Sequence, residues 1–101
     1  MISFCEKIVA IAKESEDPWP EVTLLALLRL FETLGEAASK VSDETKKAHP
    51  EIPWVEATDT RNRFIHGYDD LDYSAILLTI EEDIPQLLQQ LLNLRKELEA
   101  S

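Results

Sequence analysis

The chain has 101 residues, 45% of them hydrophobic and 30% charged, and its 20 acidic residues against 10 Lys and Arg give a net charge of -10. Such a length suits one small domain with a single core, and a composition without a Pro/Ser/Gly-rich tract excludes a disordered chain. The acidic balance excludes broad, sequence-independent binding to nucleic acid, whose affinity comes mainly from Lys and Arg displacing counterions, so any contact with RNA must be local.

Two glycines, few β-branched runs and abundant Leu, Glu, Ala and Lys favour helix over sheet, so the expected class is all-α. Residues 2 to 16, "ISFCEKIVAIAKESE", set Phe4, Cys5, Ile8, Val9, Ile11 and Ala12 at helical spacing and predict an amphipathic first helix. Cys5 is the one cysteine, so no internal disulfide forms and a reducing compartment is the simplest setting; it reads as a small buried hydrophobe. Glu6 and Lys7 interrupt the start before any secretory apolar region builds up.

"DPWP" at 17 to 20 breaks the first helix, and Pro20 can open the next, where its missing N-H is not needed. A long second helix is predicted from about 20 to 47. Its apolar positions, from Val22 through Leu24, Leu25, Leu27, Leu28, Leu30, Phe31 and Leu34 to Val41, are wider than one stripe. That width implies burial on two sides, the second being another subunit. The most apolar window, "LLALLRLF" at 24 to 31, contains Arg29 and falls far short of the roughly 20 residues that span a bilayer. The expectation is a soluble cytoplasmic protein with no membrane association. Gly35 in mid-helix costs about 1 kcal/mol against Ala and marks a close helix approach. Glu32 and Glu36 flank it on one face, to pair with Arg61 or Arg63 or to face water.

"HPEIPW" at 49 to 54 is the next break, with Pro50 ending the second helix and Pro53 opening a third that runs to about His66. Gly67 is placed to end it in a left-handed conformation. "YDDLD" then connects to a last segment reaching Glu99, with Asp72 as its N-cap and a kink or short break near Asp83, ahead of Pro85. The expected architecture is an up-and-down four-helix bundle, or five helices if the break at Pro85 counts.

The chemistry concentrates in "RNRFIHGY" at 61 to 68. On a helix, Asn62 and His66 share a face. At the last turn, His66 would meet the negative end of the helix dipole, which favours its imidazolium, while Arg61 opposes it. Such a histidine suits general acid or base work. Metal-free RNA cleavage needs a base for the 2′-OH, an acid for the 5′-oxygen and a cation for the phosphate; Arg61 fits the last task with its planar fork. Asn62 can orient the imidazole or bind a phosphate oxygen. Tyr68 brings a phenol nearby, and a symmetric dimer would supply His66 twice. The same spacing also fits a structural helix-end histidine. His49, before Pro50 in a polar turn, has a weaker case. Asp69, Asp70 and Asp72 read better as a solvated turn with a cap than as a cation site, and Glu81, Glu82 and Asp83 as a solvated face.

"LRLFETLGEAASKV" at 28 to 41, "HPEIPW" at 49 to 54, "RNRFIHGY" at 61 to 68, then "LD" at 71 and "DIPQL" at 83 together resemble the HepT-like toxins of the HEPN superfamily over nearly the whole chain. The centre of the resemblance is that family's R-x4-H-x-Y motif, met by Arg61, His66 and Tyr68, with its frequent Asn met by Asn62. The resemblance implies a helical homodimer with the motif of both subunits at a shared cleft. It implies a metal-independent endoribonuclease, without cofactor, acting on RNA and not DNA as the toxin of a toxin-antitoxin pair. The implied partner is a nucleotidyltransferase antitoxin of the MNT type, which transfers AMP from ATP to Tyr68; the added charge and bulk beside Arg61 would compete with RNA phosphate. Non-catalytic helical modules that serve such a nucleotidyltransferase are the alternative. Two features depart from the family: a first helix shorter at its start, which leaves a missing or misassigned N-terminus open, and Leu77 where many relatives carry Trp.

Overall fold

In a computed structural model of the chain, residues 1–14, 19–59 and 73–100 are described, and these are helical with no strand among them. The order is α1 (Ile2–Glu14), α2 (Glu21–Ser39), α3 (Asp43–Ala48), α4 (Trp54–Thr58), α5 (Tyr73–Leu78), a π-helical turn (Thr79–Asp83) and α6 (Ile84–Ala100). Helix α1 packs against both α2 and α6, and α4 packs on α2. The last three elements, of 6, 5 and 17 residues, follow one another without a gap.

The core follows from the apolar faces. Cys5 and Ile8 of α1, Leu27, Phe31 and Leu34 of α2, Ile52, and Ile76 of α5 are fully enclosed, and Ile84, Leu87, Leu91 and Leu94 of α6 close the far side. Burial of Cys5 pushes its thiol up to about 11, the nearby N-terminal charge opposing and Glu6 adding to the shift. The thiol is therefore packing material at neutral pH, as the helical pattern of α1 indicates. No helix among the described residues is long and apolar enough to cross a membrane.

Three boundaries differ from the sequence expectation or refine it. The continuous helix over 20 to 47 is two helices, with a break at 40 to 42. Ser39 Oγ donates to Glu36 O at 2.7 Å, and the Lys40 and Val41 N-H groups donate back only three residues, to Ala37 O and Ala38 O. A serine that competes for backbone groups favours a helix end. Ser42 then starts α3 by accepting from Thr45 N at 3.2 Å, the geometry of an N-cap. Asp43 and Glu44 in the first turn and Lys46 and Lys47 in the last complement the dipole of this short helix.

Around Pro85 the chain widens instead of breaking. Ile84 N-H donates to Thr79 O, five residues back. A proline at 85 has no N-H and its ring would collide with the carbonyl four residues earlier; one π turn, which carries an extra residue, relieves both problems, and α6 follows without an intervening loop. The third expected helix begins as α4, with Pro53 at its N-cap. Its expected continuation to His66, the stop at Gly67 and the cap at Asp72 lie outside the described residues.

Candidate active site and its scaffold

The chain enters the R-x4-H-x-Y segment from α4, so α4 is where the structure bears on the site. The turn before it is closed by one carbonyl that accepts twice: His49 O takes the Ile52 N-H at 3.2 Å and the Trp54 Nε1-H at 3.0 Å. Trp54 is buried with Ile52 and Ala57. Within α4, Ala57 N donates to Pro53 O and Asp59 N to Val55 O, and Thr58 Oγ1 donates to Trp54 O at 2.9 Å. The Ala57 N-H and the Thr58 hydroxyl thus both donate back to the 49–54 turn.

That turn is tied to α6 from the other side. Gln90 Nε2 donates to Glu51 O at 2.8 Å. His49 Nδ1 lies 3.4 Å from Glu51 Oε1 and 3.8 Å from Glu97 Oε2, with its side chain only 18% exposed. His49 is thus a bridge between the turn and α6, a role its sequence neighbours do not reveal because Glu97 is remote in the chain.

The other support is α2. Gly35 is buried, and a Cβ there would lie 2.7 Å from Thr58 O and 3.4 Å from Ala57 O. The close approach expected at this glycine is therefore with the last turn of α4. Glu32 engages Arg29 on its own helix at 3.7 Å, while Glu36 is exposed. Glu81, Glu82 and Asp83 are exposed, in line with a solvated face. A cleft of about 320 Å³ runs between α4 and the start of α6, and Glu51, Glu56, Asp83, Thr79 and Gln90 are among its lining. Arg61, Asn62, His66 and Tyr68, the expected site residues, lie outside the described residues, as do Arg63, Asp69 and Asp70. Among the described residues no group of three His, Cys, Asp or Glu side chains is arranged to hold a metal ion.

The sequence profile of the family described as "Ribonuclease HepT-like" matches residues 1–94. The chain belongs to the HepT-like ribonuclease family. Among HepT-like relatives, "Probable ribonuclease HepT" of Thermococcus cleftensis is 39% identical over 73% of this chain and 67% of its own length. "Putative RNase TTE0752" of Caldanaerobacter subterraneus subsp. tengcongensis is 34% identical over 84% of this chain and 75% of its own. "Putative RNase MJ1380" of Methanocaldococcus jannaschii is 32% identical over 61% of this chain and 57% of its own. The chain thus spans between 57 and 75% of the length of these three relatives. No solved structure matches it significantly.

Proposed function

We propose that this HepT-like chain is a metal-independent endoribonuclease, the toxin of a toxin-antitoxin pair. The observation that carries the reading is the complete motif, Arg61, Asn62, His66 and Tyr68, in a chain whose family and relatives bear the name ribonuclease. In the proposed reaction, His66 of one subunit takes the proton of an RNA 2′-OH. The 2′-oxygen attacks phosphorus, the P–O5′ bond breaks, and the second His66 of a homodimer protonates the leaving 5′-oxygen. Arg61 holds the charge that builds on the non-bridging oxygens, where a bidentate cation is worth most. Asn62 orients the imidazole.

The homodimer is supported by the apolar surface of α2, where Val22 is 78% and Leu25 57% exposed on one helical face. Control by an MNT-type nucleotidyltransferase is proposed at Tyr68, whose phenol oxygen would take AMP from ATP with release of pyrophosphate. The setting proposed is the cytoplasm.

The net charge of -10 favours a second reading, a non-catalytic helical module that docks a nucleotidyltransferase. Incubating the purified protein with several RNAs in EDTA, beside His66→Ala, separates the two. The nuclease reading expects cleavage by the wild type and a loss of about 10²- to 10⁴-fold in the variant, the range for removing a general acid or base. Equal cleavage by both proteins, or cleavage by neither, would leave the docking module.

A further inference from the structure

Among the described residues, α2 is the helix that exposes two large apolar side chains, Val22 at 78% and Leu25 at 57%, whereas Val55, Leu78 and Leu98 each stand on a different element. Val22 and Leu25 are three residues apart and so share a face, and that face carries one charge at each end. Glu21 is exposed in the first turn, and the Arg29 side chain is 71% exposed. Each stands four residues from Leu25, in opposite directions, so the order along the helix is anion, apolar pair, cation, over about 12 Å. Among the described residues no ion pair reaches Glu21, and Arg29 meets only Glu32 of its own helix, at 3.7 Å.

This order is its own complement when reversed. A two-fold axis crossing α2 at Leu25 lays the helix antiparallel on α2 of a second copy. Leu25 then faces Leu25 of the partner subunit, Val22 faces the half-buried Leu28, and Glu21 faces Arg29. A parallel pairing would instead set Glu21 against Glu21 and Arg29 against Arg29, and like charges in an interface are costly. We propose that the exposed face of α2 seats a second copy of this chain antiparallel, with Leu25 at the two-fold axis and Glu21 of each copy paired with Arg29 of the other. The proposal rests on the homodimer reading above, to which it adds an orientation and a register.

Sedimentation at low salt compares wild type, Glu21→Arg, Arg29→Glu and the double variant. Each single reversal sets like charges opposite one another twice and should raise the dimer dissociation constant at least about tenfold; the double variant restores both pairs and should return to within about threefold of wild type. Mild oxidation reads the register independently. Leu25→Cys should link two subunits through a disulfide, because facing residues of close antiparallel helices come within its reach. Glu36→Cys, also exposed, should stay unlinked, since the two copies of that position would lie about 33 Å apart along the helices. Wild type, whose Cys5 is buried, is the unlinked control. A dimer in which the single reversals change nothing, the double variant is no better than the singles, Leu25→Cys fails to link or Glu36→Cys links as well overturns this inference and leaves the homodimer reading standing. A monomeric wild type overturns both.

Discussion

Replacing Trp54 by Phe tests whether the indole N-H closes the turn that anchors α4. The substitution keeps an aromatic ring in a site where Trp54 is only 8% exposed but removes the donor that reaches His49 O at 3.0 Å. That carbonyl keeps its second donor, the Ile52 N-H at 3.2 Å, so the lost bond costs about 1 kcal/mol and not the full penalty of a buried orphan. The smaller ring gives up on the order of 40 Å² of buried apolar surface, about 1 kcal/mol at 25 cal/mol per Å². The sum, about 2 kcal/mol, corresponds to a fall in Tm of roughly 10 °C for a domain of this size. Far-UV circular dichroism is the suitable probe, because the substitution itself alters tryptophan fluorescence. Urea unfolding at fixed protein concentration should show a lower midpoint with an unchanged m-value. A loss below about 0.5 kcal/mol, within the range of ordinary surface substitutions, would refute the idea that this bond and its packing hold α4.

Two further outcomes are expected. Cys5 has a thiol raised from 9.0 to about 11 by burial, so between those values the folded chain binds more protons than the unfolded one. Its contribution to stability is fully present below pH 9 and is lost as pH rises through 11; thermal unfolding across that interval should fall more steeply for wild type than for Cys5→Ala, and parallel slopes would contradict the assignment. Val22→Asp combined with Leu25→Asp should convert a dimer to a monomer in sedimentation velocity and abolish RNA cleavage while leaving the helical spectrum intact, since both positions are exposed on the single chain. A wild type that sediments as a monomer would defeat the dimer and the use of two His66 residues.

What was legible in the sequence follows the range of the forces involved. The start of α2 after Pro20 and the turn around Pro50 and Pro53 are local decisions made by prolines, and they appear where the residue types place them. The break at 40 to 42 is hidden in the sequence by an apolar pattern that runs on to Val41, although Ser42 caps the helix that follows. At Pro85 the residue foretold a disturbance but not its form, since a π turn and a break satisfy the same missing N-H. Gly35 announced a close approach, yet its partner, Thr58, depends on how α4 docks. His49 shows the limit most clearly: nothing near it in sequence points to Glu97. For the site, residue types and spacing in "RNRFIHGY" are readable in the sequence, whereas the mutual distances of its side chains are a matter of packing that no local pattern encodes.

The central claim is cleavage by the RNA's own 2′-oxygen at a site built on His66. The most direct measurement uses one short RNA, its cleavage position mapped, against the same oligonucleotide with a single 2′-deoxy substitution on the 5′ side of the scissile phosphate, both in EDTA. The account predicts products ending in a 2′,3′-cyclic phosphate and a 5′-hydroxyl, no cleavage at the deoxy position, and none above background with His66→Ala. Products bearing a 3′-hydroxyl and a 5′-phosphate, or cleavage that survives the deoxy substitution, would contradict it.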